Sequence, residues 1–270
     1  MKLGVIVGLG DDPEAALKKV RDLALPTCQL ACWDPAHYTK DGIRTVKEAR
    51  QRYGVEISSI WAGYPGPSVW NFIQGPTTIG LVPKKWRRVR IEALKAGADF
   101  AASLGVPTIS THCGFIPENP NDPVYGEVIA ALKEVVAHCR RKKVAFTFET
   151  GQETPVVLLR CIEDLGFDRL GINFDTANLI LYGKANPVDA LDVIGKYVMG
   201  VHAKDGFYPT NGRELGHEAP LGEGKVNFPA FIPKLKKLGY RGALTIEREI
   251  SGPKQIEDIE RAKRLLGPLL

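Results

Sequence analysis

Eight short apolar runs, each followed by a helix start, recur along this chain, and that alternation restricts it to α/β folds built on a parallel sheet. The runs fall at residues 3–9, 27–33, 55–61, 107–111, 143–149, 170–175, 197–204 and 243–247. Helix starts are marked by capping residues and by prolines preset for a first helical turn, in Asp12-Pro13-Glu14, Thr154-Pro155, Asn186-Pro187, Asn227-Phe-Pro229 and at Pro253. Beyond them apolar residues repeat at helical spacing. Ala16, Val20 and Leu23 do so in the first helix, and Ile91, Leu94, Ala98 and Ala101 within residues 84–104. Eight such units in 270 residues, with no linker composition between them, predict a parallel (β/α)8 TIM barrel occupying residues 1–270 as one domain, since this fold needs about 250 residues.

An open, doubly wound sheet would carry a phosphate-binding turn after an early strand. Gly8-Leu-Gly10-Asp-Asp-Pro13 has proline where the third glycine of a dinucleotide fingerprint belongs, and its two acids would repel a pyrophosphate. Gly222-Glu-Gly-Lys225 lacks the first glycine of a P-loop at position 219, and Val226 replaces the magnesium-binding hydroxyl. With 44% hydrophobic and 25% charged residues, the chain can bury a large core without staples. Cys28, Cys32, Cys113, Cys139 and Cys161 form no CxxC pair and are odd in number, which argues for a cytoplasmic address over a secreted disulfide framework. The N-terminal apolar run stops at Asp11 and Asp12, too early for a signal segment, and no run approaches membrane length. Net charge is +5, but the two dense basic runs, Lys84-Lys-Trp-Arg-Arg-Val-Arg90 and Arg140-Arg-Lys-Lys143, are expected to be solvated helix faces rather than nucleic-acid contacts.

In a parallel barrel the C-terminal strand ends converge on one rim, so residues far apart in sequence meet there. Glu149 ends the fifth run, Asp175 the sixth, His202 lies in Gly200-Val-His-Ala-Lys-Asp205, and Glu247 lies in Thr245-Ile-Glu-Arg-Glu249. Three carboxylates at one rim require compensation, and a divalent cation would supply it. Three oxygen donors and one imidazole suit a single Mn²⁺ ion first, with Mg²⁺, Co²⁺ or Zn²⁺ as alternatives. His112 at the end of the fourth run is a candidate for substrate contact. So is Lys204, which points the same way as His202. Trp33 and Trp61 at strand ends are candidates for an apolar wall against a sugar face. Gln152 and Asn178, three residues beyond Glu149 and Asp175, complete the candidate substrate-binding set. Residues 62–82, rich in Gly, Pro and aromatics, suit a loop over the site. Glu153 and Glu249 are expected as helix caps or ion-pair partners, and His37, His138 and His217 as surface or loop residues.

At these residues the chain resembles the xylose-isomerase-like superfamily of sugar isomerases and epimerases, D-tagatose 3-epimerase relatives in particular. The resemblance runs over nearly the whole chain. It is carried by the Glu, Asp, His and Glu endings of strands five to eight, by Pro220-Leu-Gly-Glu-Gly-Lys-Val-Asn-Phe-Pro229 and by Leu238-Gly-Tyr-Arg-Gly-Ala-Leu-Thr-Ile-Glu-Arg-Glu249. It implies a metal held by Glu149, Asp175, His202 and Glu247, the two glutamates as acid and base, a small sugar or sugar derivative as substrate, and homo-oligomers. The chemistry is coherent. A carbon-bound proton beside a ketone is too weak an acid for a carboxylate unless a cation stabilises the enediolate, by several kcal/mol. Two carboxylates on opposite faces then give epimerisation, and return to the adjacent carbon gives isomerisation. A ketose 3-epimerase is the expectation. Alternatives are a metal-dependent lyase or dehydratase on a keto-sugar or keto-inositol, an endonuclease IV-like nuclease, and a non-catalytic sugar-binding module. The nuclease needs a three-metal cluster that five scattered histidines do not readily supply. Asn178 stands where some relatives have histidine, and Tyr208 where an arginine would follow His202, so substrate identity stays open.

Overall fold

The structure, a computed structural model, describes residues 1–10 and 12–270. Its elements alternate as β1 (Lys2–Gly8), α1 (Pro13–Asp22), β2 (Thr27–Cys32), α2 (Lys40–Tyr53), β3 (Glu56–Ala62), α3 (Gly75–Thr78), α4 (Lys84–Leu104), β4 (Thr108–Thr111), α5 (Pro123–Arg141), β5 (Ala145–Glu149), α6 (Pro155–Leu165) and β6 (Leu170–Asp175). They continue with α7 (Thr176–Leu181), α8 (Pro187–Ile194), β7 (Val198–Ala203), the two-residue strands β8 (Asp205–Gly206) and β9 (Glu218–Ala219), α9 (Phe228–Lys237), β10 (Ala243–Ile246) and α10 (Pro253–Leu266). Eight strands close into a parallel barrel in the order β1-β10-β7-β6-β5-β4-β3-β2, a (β/α)8 TIM barrel.

Local chemistry explains the element boundaries. Side chains of Asp12, Thr39, Asp122, Thr154, Asn186 and Asn227 accept backbone N–H groups in the first turns of α1, α2, α5, α6, α8 and α9. Asp11 lies outside the described residues. Gly54, Gly105 and Gly166 close α2, α4 and α6 at φ of 65°, 68° and 65°, a left-handed conformation that a side chain would strain. β2, β5 and β6 are buried at every position because helices cover the barrel outside and side chains fill it inside. Among the described residues no helix is long and apolar enough to cross a membrane. All five cysteines are free and buried.

Several features depart from the sequence expectations, the short helix α3 within the expected loop 62–82 among them. The run from Lys84 to Arg90 is not a solvated face throughout, since Arg90 is fully buried and its guanidinium donates to the carbonyls of Pro65, Pro67, Thr78 and Gly80 at 2.7–3.0 Å. It also lies 4.4 Å from the Tyr64 ring. A buried cation is tolerable there because the connection between β3 and α4 turns its carbonyls inward to meet it. α7 was not anticipated; all six of its residues are buried, so it has no polar face to give a periodic pattern. Nor was the β8–β9 ribbon, whose strands of two residues are too short to alternate visibly. The Asp205 carboxylate accepts the N–H groups of Gly206, Gly222, Gly224 and Val226, at 2.8–3.0 Å, and so shapes the glycine-rich segment. A Cβ at Gly224 would sit 2.1 Å from Asp205 Oδ1, so these glycines serve close backbone approach rather than phosphate binding.

Candidate metal centre

Register places the four strand-end residues side by side. Asp175 pairs with His202 between β6 and β7, His202 pairs with Thr245 of β10, and Glu149 pairs with Asn173 between β5 and β6. Glu247 follows β10 directly, its N–H donating to the Ala203 carbonyl at 3.2 Å. The side chains of Glu149, Asp175, His202 and Glu247 are all buried, and each offers one donor atom within 4.8 Å of the others. His202 Nδ1 lies 3.0 Å from Glu149 Oε1, 3.0 Å from Glu247 Oε2 and 3.7 Å from Asp175 Oδ2. Asp175 divides its oxygens: Oδ1 accepts the Asn178 N–H at 2.7 Å and caps α7, whereas Oδ2 has no hydrogen-bond partner among the described residues. Glu247 Oε2 and His202 Nδ1 are orphaned in the same way. Buried polar atoms normally find partners. Three converging orphans, with hard oxygen donors and one imidazole, fit a divalent metal ion.

Charge in the cluster is balanced by two cations. Burial alone would raise the Glu149 carboxyl, but His202 and then His112 outweigh it and hold Glu149 below its ordinary value. Glu247 is likewise driven down, against burial, by Lys204 and His202. Burial dominates at Asp175, whose carboxyl is pushed up to about 7. His202 is raised well above its usual value because Glu149 and Glu247 overcome the cost of burying its charge. Lys204 is held protonated against burial by Glu247, Glu249 and Asp175; its Nζ lies 3.7, 2.7 and 4.0 Å from them.

Above the cluster opens a cavity of about 400 Å³. Glu149 and Glu247 line it, whereas Asp175 and His202 lie beneath with no exposed surface. One wall is aromatic. Trp33 and Trp61 approach to 4.2 Å between ring centroids, and Trp70 stands edge-on to Trp33 at 6.3 Å. Trp61 Nε1 donates to Glu149 Oε2. His112 also lines the cavity, with Nε2 3.9 Å from Glu149 Oε1, and burial depresses its pKa.

A model of the family described as "Xylose isomerase-like TIM barrel" matches residues 17–267. The chain belongs to that family. The crystal structure of a xylose isomerase domain protein from Planctomyces limnophilus is 36% identical and superposes with a TM-score of 0.93, covering 99% of this chain and 96% of that one. A D-tagatose 3-epimerase-like protein is 22% identical at a TM-score of 0.76, over 100% and 97% of the two chains. A family protein from Mycobacterium smegmatis, solved in complex with magnesium, is 18% identical at 0.72, over 100% and 97%. At the last two identities the likeness is one of fold.

Within this family fold the remaining expected positions divide. Trp33, Trp61, His112, Asn178 and Lys204 line the cavity. Gln152 does not: it lies behind the wall and donates from Nε2 to the Tyr182 hydroxyl at 2.9 Å, so Tyr182 faces the cavity in its place. Glu249 pairs with Lys204 as expected of an ion-pair partner. Glu153 is neither cap nor partner; Thr154 caps α6, and neither Glu153 oxygen has a hydrogen bond among the described residues. Trp70, Leu181, Tyr182 and Leu215 also line the cavity and were not singled out. Only the aromatic content of residues 62–82 hinted at Trp70.

Proposed function

We propose that the protein is a metal-dependent sugar isomerase or epimerase, of ketose 3-epimerase type, acting on a keto-sugar through an enediolate. The observation that carries this reading is the division within the cluster: of its four members, the two glutamates face the cavity and the aspartate and histidine lie beneath it. Glu149, Asp175, His202 and Glu247 would hold the ion, Mn²⁺ by preference. When bound, it supplies positive charge to the substrate oxygens and lowers the pKa of the carbon-bound proton beside the ketone. Glu149 and Glu247 arrive from barrel strands separated by β6 and β7, so they approach a substrate from different sides. One removes a proton and the other returns it. Trp61, bonded to Glu149, keeps that carboxylate oriented. Trp33 and Trp61 supply an apolar face for the sugar C–H groups, and Lys204, His112 and Asn178 supply polar contacts to its hydroxyls.

The cavity also favours an uncharged substrate. Its cations, Lys204 and Arg248 among the described residues, are committed to carboxylates: Lys204 to Glu249 at 2.7 Å, Arg248 to Glu218 and Asp258 at 2.8 Å each. Neither is free to hold a phosphate. A screen of free and phosphorylated keto-sugars with Mn²⁺, followed by NMR of the products, tests both points. Turnover of uncharged substrates is expected, with Glu149→Gln and Glu247→Gln each lowering kcat about 10²–10⁴-fold in protein whose bound metal is assayed separately. A glutamine variant with wild-type rate contradicts the assignment, a preference for phosphorylated sugars contradicts the substrate class, and loss of water or a glycosyl group moves the activity to the lyase reading.

A further inference from the structure

The inside of a TIM barrel is ordinarily filled by branched aliphatic side chains. Directly below His202 this barrel is polar instead, with Gln29, Asn173, Thr147 and Thr245 all buried to within 2% of full burial. Burying an amide in a barrel core is unfavourable unless its hydrogen bonds are met, so these side chains need a reason to be there. Gln29, from β2, meets His202 across the barrel interior, its Oε1 lying 2.8 Å from Nε2. The other end of the same amide donates from Nε2 to Asn173 Oδ1, also at 2.8 Å. Room for this pair comes from Gly200, where a Cβ would stand 2.4 Å from Asn173 Oδ1 and 3.3 Å from Gln29 Nε2.

The consequence falls on the imidazole. A neutral histidine has one protonated and one bare nitrogen, and the partner of the first decides which is the second. On the Nδ1 side stand Glu149 and Glu247, each at 3.0 Å. On the Nε2 side stands the Gln29 amide oxygen, with the nitrogen of the same amide turned to Asn173. We propose that Gln29, held by Asn173 and admitted by Gly200, is a positioning residue that keeps the His202 proton on Nε2, leaving Nδ1 as the nitrogen that faces the cation. This rests on reading the four-residue cluster as a metal centre.

Calorimetric titration of Mn²⁺ into metal-free wild type, Gln29→Leu and Gln29→Glu tests it, alongside thermal melts of each metal-free protein. Gln29→Leu removes the acceptor, and a 10–100-fold weaker Mn²⁺ affinity is expected. Gln29→Glu restores an acceptor, with Asn173 turning its amide to donate, and should return affinity to within about threefold of wild type. A purely structural role would lower the melting temperature and leave the affinity of the folded fraction unchanged, which overturns the proposal. Should Gln29→Leu fail to fold, the ¹⁵N-histidine spectrum of Zn²⁺-loaded wild type decides: the His202 proton is expected on Nε2, and a proton on Nδ1 overturns the proposal. Wild type that binds no Mn²⁺ at all removes the metal centre itself, an outcome distinct from an unaffected Gln29 variant.

Discussion

Asp175 separates two roles that strand-end carboxylates usually confuse. One oxygen caps α7 and the other is left over among the cluster atoms. Asparagine also caps well, so Asp175→Asn should fold and, in metal-free form, melt no lower than wild type, because it removes a carboxyl that burial has pushed up to about 7. Its Mn²⁺ affinity should fall at least about 100-fold, since a neutral amide replaces an anionic donor. Parallel melts and Mn²⁺ titrations check this, and stoichiometric tight binding in the variant would remove Asp175 from the centre. The four cluster residues were legible in the sequence because each lies at or near the end of an apolar run, and parallel runs end on one rim. Gln29 was not. It sits mid-strand in Thr27-Cys-Gln-Leu-Ala-Cys32, and only closure of the barrel brings it to His202.

At the scale of elements, two segments show ionisable groups governed by their surroundings in ways that residue spacing does not reveal. In the turn between β5 and α6, burial pushes the Glu153 carboxyl up from 4.5 to about 8. The folded chain therefore keeps a proton that the unfolded chain has lost. Stability from this group is intact below about pH 4.5 and falls as pH rises towards 8, by on the order of a few kcal/mol in total. Glu153→Gln should flatten that slope and melt higher than wild type at pH 7.5, as melts from pH 5 to 8 would record; an unchanged slope would mean that the carboxyl finds a partner. On α4, Arg90 gathers carbonyls from the β3–α4 connection. Replacing it by Met should cost on the order of 3–5 kcal/mol in urea denaturation, because several buried acceptors are left unmet, and should expose residues 63–82 to limited proteolysis. Spacing located α4 well, as its apolar positions repeat every turn. It said nothing of which arginine turns inward, because that depends on where an aperiodic loop places its carbonyls.

For the whole molecule, the candidate metal centre exists only when the barrel is closed, with donors drawn from β5, β6, β7 and the residue after β10. A cation that binds this state alone must stabilise it, by about 2.7 kcal/mol at a hundred times its dissociation constant. Wild type should therefore melt several degrees higher with excess Mn²⁺, and His202→Ala should show no such shift. Catalysis makes the sharper demand. In an enediolate mechanism a glutamate must remove a carbon-bound proton and solvent hydrogen must take its place. The most direct test incubates the Mn²⁺-loaded protein with uncharged keto-sugars in deuterated buffer and follows the carbon beside the carbonyl by NMR. Deuterium at that carbon in the product, with the signal lost in Glu149→Gln and Glu247→Gln, is the predicted result. Turnover by hydrolysis or redox chemistry, with every carbon-bound proton retained, would contradict it.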